Sequence, residues 1–425
     1  MSAEVICVGT ELLLGDIVNT NTQFLGQQLA RLGIPHYFQS VVGDNPERIA
    51  RVLAIASQRS QIVIFTGGLG PTPDDLTTET IAKFFAVPLV EHPEVWADIQ
   101  AKFSQRQRPV PPSNHKQALQ PKGARVLPNP TGTAPGMIWQ PRPDLSILTF
   151  PGVPSEMQRM WQETAVPYLK SLGWGKQIVH SRTLRFWGIG ESALAQKVAS
   201  YFELSNPTVA PYASKGQVKL RVSALANSET AARALIDPIA RELQAIAGDD
   251  YFGADGDTLA SAVGNALLDR GQTLAVAESC TGGGLGAMIT AVPGSSAYFA
   301  GGVIAYANTV KVNLLDVNSE TLALHGAVSE PVAEQMALGI QAALDADWGL
   351  AITGIAGPGG GSPQRPVGLV YIGLAGPNRQ AVAYEYRLGQ DRDRAGIQLR
   401  SACHALDRLR RACQKSSSGD APEPD

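Results

Sequence analysis

The chain has 425 residues, 44% of them hydrophobic and 17% charged, with 35 Lys and Arg against 38 Asp and Glu and a formal charge of -3. This length implies two to four domains at about 100 to 200 residues each, and the slightly acidic balance excludes the electrostatic footprint of a general nucleic-acid binder. Cys7, Cys280, Cys403 and Cys413 form no CxxC pair, no basic leader opens the chain, and no apolar run approaches the length of a bilayer span, so the expectation is a reduced, cytoplasmic protein without structural zinc or a membrane.

From the N-terminus, β-branched runs alternate with amphipathic ones: strand Glu4 to Gly9, helix Asn21 to Leu32, strand Tyr37 to Val42, helix Pro46 to Arg59, strand Ile62 to Thr66, and helix Asp75 to Phe85. Such alternation predicts βαβ units on a parallel sheet. Strands Arg125 to Leu127, Met137 to Trp139 and Leu145 to Phe150 precede a helix from Ser155 to Leu172, and Ser171 to Gly175 reads as a domain joint. Next come strand Ile178 to Phe186, helix Glu191 to Tyr201, strands near Val209 and over Val218 to Leu225, and helix Glu229 to Ile246, a β-α-β-β-α order that makes one two-layer unit. A third α/β pattern runs from helix Thr258 to Asp269 through strands Thr273 to Ala277, Gly302 to Tyr306, Leu350 to Thr353, Gly368 to Leu374 and Ala381 to Tyr386, with helices Pro331 to Leu344 and Arg394 to Cys413. The predicted domains are therefore 1–172, 176–253 and 257–413, followed by a polar tail, 416–425, expected to be disordered.

In the first domain, Gly9-Thr10-Glu11-Leu12-Leu13-Leu14-Gly15-Asp16 and Thr66-Gly67-Gly68-Leu69-Gly70-Pro71-Thr72-Pro73-Asp74-Asp75 both follow predicted strands. Ligands bind open α/β sheets at such strand ends. Gly67, Gly68 and a helix N-terminus suit a phosphate, while Glu11, Asp16, Asp74 and Asp75 offer oxygen ligands to a divalent cation. Asp74 and Asp75 as simple helix caps fit the spacing equally well.

In the third domain, the predicted strand ending at Ala277 leads into Glu278-Ser279-Cys280-Thr281-Gly282-Gly283-Gly284, which puts a serine on a strand-to-helix turn. Unpaired N–H groups at a helix start can hold a phosphate or a developing oxyanion. The alternative is that Ser279 or Thr281 only caps the helix. The pattern is neither G-x-S-x-G nor S-x-x-K, so a base must come from elsewhere. Tyr306 and Lys311 are candidates, with packing and a solvated helix position as their plain alternatives. Thr353-Gly354-Ile355-Ala356-Gly357-Pro358-Gly359-Gly360-Gly361 follows another strand and suits a phosphate-cradling loop or a merely flexible one. Arg392 can clamp a phosphate or carboxylate, with Arg394 as its rival.

Taken together, AESCTGGGLG, GGVIAYANTVK, HGAVSEPVAEQMA and TGIAGPGGG resemble the C-terminal amidohydrolase domain of the CinA family. TGGLGPTPDD, NHKQA, NPTGTAPGM and FPGVPSEM resemble its N-terminal, molybdopterin-binding-like domain. GIGES at Gly188 to Ser192 looks like its KH-like domain, without a basic GXXG loop for RNA. The resemblance implies an α/β protein with a three-layer N-terminal domain, a small two-layer middle domain and a C-terminal α/β amidohydrolase. It further implies hydrolysis of nicotinamide mononucleotide to nicotinate mononucleotide and ammonia at the C-terminal site without a cofactor, and metal-dependent hydrolysis of ADP-ribose at the N-terminal one. Under it Ser279 is the nucleophile, Tyr306 and Lys311 assist proton transfer, and Thr353 and Arg392 lie in the substrate site; Thr281, Gly282, Gly354 and Gly357, on the same glycine turns, are the further expected substrate contacts. For the N-terminal site the expected substrate contacts are Gly67, Gly68 and Lys116, and the expected metal ligands are the loop carboxylates Glu11, Asp16, Asp74 and Asp75. The family's Gly-Asp-Arg is one residue longer here, as Gly389-Gln390-Asp391-Arg392. The expected partners are small nucleotides and a second copy in a homodimer. Two rivals stay open: a molybdopterin nucleotide handler in the N-terminal domain, and a non-enzymatic accessory factor in DNA uptake or damage response.

Overall fold

Local signals in the sequence account for many of the element boundaries. The computed structural model describes residues 2–214, 216–389 and 392–415, so the expected disorder of 416–425 lies outside the described residues. The chain divides into two compact units, Met1–Ser181 with Ser223–Asp237, and Arg182–Val222 with Pro238–Asp425.

The first stretch runs β1 (Ala3–Val8), α1 (Thr10–Leu14), α2 (Thr20–Arg31), β2 (His36–Val42), α3 (Pro46–Arg59), β3 (Ile62–Thr66), α4 (Thr77–Phe84), β4 (Leu89–Glu91), α5 (Pro93–Gln105), β5 (Leu119–Pro121), β6 (Arg125–Leu127), β7 (Gly136–Arg142), β8 (Leu145–Phe150), α6 (Pro154–Met160) and α7 (Val166–Ser171). Its main sheet has the order β2-β1-β3-β8-β7-β6. The first four strands are parallel, β7 alone runs against them, and β6, antiparallel to β7, runs with them again. Alternation along buried strands sends Val5, Cys7, Ile62, Ile64 and Leu148 to one face, against Leu25, Leu29 and Trp161. Ile6, Val8, Val63, Phe65 and Ile147 go to the other face, against Ile49, Leu53 and Ile81. Three layers result, as the period-2 pattern of doubly covered strands requires.

α3 shows why the helices start where they do. The Asn45 side chain accepts from the Arg48 N–H, Pro46 takes the first turn, and Glu47 and Arg59 complement the dipole at the two ends. α6 and α7 are joined by a π-helical turn, Trp161–Ala165. Pro167 lies just beyond it, and its ring nitrogen has no proton to give to the carbonyl four residues back. One expectation fails here. The helix after the glycine loop begins at Thr77 rather than Asp75, because the Asp75 carboxylate accepts from the Thr72 backbone N–H and hydroxyl and closes a turn instead.

The middle stretch comprises β9 (Ile178–Phe186), α8 (Glu191–Lys197), β10 (Thr208–Ser214), β11 (Gln217–Ala226), α9 (Glu229–Ala247) and β12 (Tyr251–Ala254), with sheet order β10-β11-β9-β12. β12 adds a fourth strand to the expected pattern. The last stretch runs α10 (Leu259–Leu268), β13 (Leu274–Glu278), α11 (Gly284–Thr290), β14 (Phe299–Ile304), α12 (Asn308–Leu315), α13 (Ser319–His325), α14 (Glu330–Ala343), β15 (Trp348–Gly354), β16 (Leu369–Ala375), β17 (Ala381–Arg387) and α15 (Arg394–Lys415). Its sheet is β14-β13-β15-β16-β17, parallel through the first three strands and antiparallel thereafter. One face packs Val276, Leu350 and Ile352 against Leu259 and Val263 on α10 and against the apolar side of α15, including Leu406 and Leu409. The other packs Ala275, Ala277 and Ala351 under Met336 and Ile340. α14 comes very close to this face: a Cβ at Gly349 would stand 2.0 Å from the Ala337 carbonyl oxygen. Among the described residues no helix is long and apolar enough to cross a membrane.

Candidate active site

β13 pairs with β14 on one side and β15 on the other, so Glu278 stands level with Ile304 and Ile352 at one edge of the sheet. This edge is a switch point, where the chain leaves the central strand first to one side and then to the other. Ser279 follows β13, Ala305 and Tyr306 follow β14, and the glycine loop follows β15. Topology thereby gathers segments that are far apart in sequence.

Lys311 lies on α12 with 1% exposure. Its Nζ donates to Ser279 Oγ at 3.1 Å, to the Ala305 carbonyl at 2.6 Å and to the Tyr306 carbonyl at 3.4 Å. None of these acceptors is a carboxylate. Burial lowers the Lys311 pKa from the ordinary lysine value, because a desolvated ammonium is disfavoured. Lys311 is thus neither packing filler nor a solvated helix residue; it touches the serine.

The turn carrying Ser279 is built around Glu278, which is 2% exposed. Its carboxylate accepts from the N–H groups of Gly283 and Leu285 at 3.0 Å each and of Gly286 at 2.8 Å. The start of α11 is therefore filled by a protein carboxylate and does not face a ligand, contrary to the expectation from sequence. Gly282 and Gly283 adopt φ of 62° and 99°, values that favour glycine. Ser279 N–H donates to the Ile352 carbonyl and Gly282 N–H to that of Ser279. Among the described residues no backbone acceptor takes the Thr281 N–H, whereas the Cys280 N–H interacts with its own thiol. The Thr281 hydroxyl is buried and has no hydrogen-bond partner among the described residues.

Tyr306 sits two residues beyond the end of β14 and is 61% exposed. Its hydroxyl accepts from Arg394 Nη2 at 3.1 Å, and Arg394 Nη1 donates to the Gly357 carbonyl at 2.7 Å. One turn further along α15, Gln398 donates to the Cys280 carbonyl at 2.8 Å. Arg394 is thus the arginine on the face that meets the serine turn. Arg392, named from the sequence, instead donates from Nε to the Leu388 carbonyl at 2.7 Å, and its charge bears on Arg400, whose guanidinium lies over Trp187. Thr353 is buried, with its hydroxyl donating to the Ala327 carbonyl at 2.7 Å, so it ties the root of the glycine loop to a neighbouring segment. Gly357 has a φ of 76°, whereas Gly354 is needed for packing, since a Cβ there would stand 2.7 Å from Val370 Cγ2.

The N-terminal sheet repeats the switch point, with β1 between β2 and β3. Gly67 and Gly68 have φ of 101° and 68°, and a Cβ on either would meet the Val8 carbonyl oxygen at 2.0 Å or Thr77 Oγ1 at 2.2 Å. A narrow cleft beside them is lined by Gly68, Gly70, Asp75, Glu79 and Lys116. Lys116 Nζ donates to the carbonyls of Thr72 at 3.0 Å and Asp75 at 2.7 Å. Glu11 lines a different cavity, of about 280 Å³, with Cys7, Asn21 and Thr66. Asp16 and Asp74 are exposed. The predicted set Glu11, Asp16, Asp74 and Asp75 therefore does not converge, and among the described residues no three His, Cys, Asp or Glu side chains form a group able to hold a metal ion. α1, which the sequence reading missed, carries Glu11 toward the second cavity.

Sequence reasoning also gave Glu278 no role, although an acidic residue ending a strand just before the serine was a visible signal. Gln398 had no comparable signal.

Known proteins extend these observations. The profile of the CinA C-terminal domain matches residues 256–413, that of a probable molybdopterin binding domain residues 4–171, and that of the damage-inducible protein CinA KH domain residues 181–253. A CinA-like protein of Nostoc punctiforme is 66% identical over 411 residues, covering 97% of this chain and 99% of its own. One of Synechocystis is 65% identical over 416 residues, covering 98% and 100%. Among solved structures, the competence/damage inducible protein CihA of Agrobacterium tumefaciens is 39% identical and covers 37% of this chain and 93% of its own, with a TM-score of 0.36.

Proposed function

We propose, for a chain that belongs to the CinA family, that the C-terminal domain hydrolyses nicotinamide mononucleotide to nicotinate mononucleotide and ammonia. The observation that carries this reading is the 3.1 Å contact between buried Lys311 and Ser279. When Lys311 is neutral, the contact runs from the serine hydroxyl to the amine. Lys311 then takes the proton as Ser279 Oγ attacks the carboxamide carbon. The Thr281 N–H, which takes no backbone acceptor among the described residues, is available to the oxyanion. Lys311 returns the proton to the leaving nitrogen, which departs as ammonia, and water hydrolyses the acyl-serine. Arg394 suits the substrate phosphate, since an anion there is a stronger acceptor than the phenol and carbonyl it now holds. Tyr306, whose hydroxyl lies on Arg394, borders the same place.

For the N-terminal domain the reading is hydrolysis of ADP-ribose to AMP and ribose 5-phosphate. The four-carboxylate metal centre does not fit, because its members are divided between separate places. A magnesium-like ion held mainly by substrate phosphates needs only one or two carboxylates, and Asp75 and Glu79 in the Lys116 cleft fit that demand. Asp75 Oδ2 is engaged by Thr72, and Oδ1 takes no hydrogen bond from the described residues. The ion supplies neutralisation of the pyrophosphate when bound; Lys116 and the glycine turn orient its oxygens.

The test is ammonia release from nicotinamide mononucleotide, and cleavage of ADP-ribose, by the full chain and by Ser279→Ala. Loss of the first activity alone is expected. Retention of amide turnover by Ser279→Ala overturns the assignment.

A further inference from the structure

We propose that Glu278 is the positioning residue of the nucleophile turn, fixing Ser279 on Lys311 through a buried carboxylate; the proposal rests on the serine reading above. Glu278 has three hydrogen-bond donors, all backbone N–H groups of Gly283, Leu285 and Gly286. Among the described residues no Lys, Arg or His side chain lies within ion-pair distance of it. A buried carboxylate without a cation is costly, and three charge-assisted bonds at a helix start offset that cost.

An ordinary cap lies next to the helix it caps and spans two or three residues. Glu278 reaches five, seven and eight residues ahead instead. Its backbone is locked in β13 between Ile304 and Ile352, and its side chain is locked to the first turn of α11. The intervening Ser279, Cys280, Thr281 and Gly282 are thus held at both ends. Gly283 supplies the left-handed backbone that turns its N–H back onto the carboxylate. The spacing Glu-Ser-Cys-Thr-Gly-Gly-Gly-Leu-Gly is that of a loop closed by its own first side chain.

Glu278 touches neither substrate nor the reacting atoms; it acts by holding the 3.1 Å Ser279–Lys311 geometry. Glu278→Gln keeps the shape, but its NH2 group faces donors, so the turn must shift. A displacement of about 1 Å at a reacting group costs about a hundredfold. The experiment measures three quantities on the full chain for Glu278→Gln and the shorter, still anionic Glu278→Asp: kcat and KM for nicotinamide mononucleotide, the rate at which a sulfonyl fluoride labels Ser279, and the thermal midpoint. Expected are a kcat about a hundredfold lower for Gln and about tenfold lower for Asp, KM within about threefold of wild type, and labelling slowed in proportion to kcat. Labelling reads the nucleophile without the substrate. Wild-type chain that labels at Ser279 yet releases no ammonia overturns the amidase reading alone, and the Glu278 proposal is then decided by labelling. A folded variant with kcat and labelling within about twofold of wild type, or a loss confined to KM, overturns the positioning role. So does failure of both variants to fold, which makes Glu278 a folding residue.

Discussion

The two outer domains each carry a glycine turn at a switch point of the sheet, after the flanking strand β3 in one and after the central strand β13 in the other, and only in the second do a lysine and a serine side chain meet there. In each, a central parallel strand is flanked by the next strand on one side and the third on the other, β2-β1-β3 and β14-β13-β15. Each has glycines with positive φ beyond a strand end, at Gly67 and Gly68 or at Gly282 and Gly283. In the C-terminal domain a buried lysine arrives from α12 and meets the serine at 3.1 Å. In the N-terminal domain Lys116 is directed to backbone carbonyls of the Thr72–Asp75 turn and lies 3.8 Å from Glu79, while Glu11 lies in a separate cavity. Glycine loops at a switch point thus mark where a ligand sits, while the chemistry is decided by which long side chains the neighbouring helices deliver.

The largest expected effect removes the pair that the N-terminal site lacks. Ser279→Ala, and separately Lys311→Met, should each lower kcat for amide hydrolysis by about a thousandfold or more, and the double variant should lose little beyond either single one, because the two act as a unit. ADP-ribose cleavage should not change. Steady-state ammonia release checks both claims, and additive losses would break the pairing. The pH profile sharpens it. The active form is neutral Lys311, so kcat/KM should rise with pH through the lysine's titration. Burial lowers that pKa, so the rise should centre below the ordinary lysine value. A rise centred at or above that value would mean the amine is not the base.

A smaller effect separates the two arginines. Arg394→Ala should raise KM for nicotinamide mononucleotide by about tenfold or more, the scale of a lost charge-assisted contact, and Arg392→Ala should leave it within about twofold. The reverse ranking would return the phosphate to Arg392. In the other domain, Asp75→Asn should raise the magnesium concentration that half-activates ADP-ribose cleavage by about tenfold, and Glu11→Gln should leave it unchanged. Equal responses from Asp75 and Glu11 would mean the two places form one centre after all.

These contrasts also mark what was legible in the amino-acid order. Strand alternation and cap chemistry placed α3 and most sheet strands to within a residue or two, because period, proline and asparagine act locally. α12, which delivers Lys311, carries Leu314 and Leu315 beside polar residues without a clear apolar stripe, and it was missed along with α13. Ser279, Lys311 and Tyr306 were legible as candidates, but their distances depend on strand order, which no local pattern encodes. Arg392 and Arg394 differ by two positions and face different neighbours, a distinction that only the path into α15 decides. Four acidic residues on loops looked like a metal set because spacing along the chain does not report which cavity a loop enters.

The smallest expected effect concerns two buried cysteines, one beside Ser279 and one in the Glu11 cavity, apart from the Lys116 cleft. Cys7, the penultimate residue of β1, lines the Glu11 cavity, and Cys280 follows Ser279 in the C-terminal turn. Burial raises the pKa of Cys7 and pushes that of Cys280 to about 12, since a thiolate cannot be solvated there. At pH 7 a thiol with that pKa is ionised in only about one molecule in 10⁵. Arg394 and Lys311 pull the Cys280 pKa downward, but desolvation is the larger influence. Cys280→Ala should therefore leave kcat within about threefold of wild type and cost about 1 kcal/mol of stability, the usual scale for losing a small buried group. Iodoacetamide at neutral pH should label neither cysteine in the folded chain, as read by mass spectrometry of the intact protein. A thousandfold loss in Cys280→Ala beside an active Ser279→Ala would move the nucleophile by one residue and leave Lys311 as the base of a thiol.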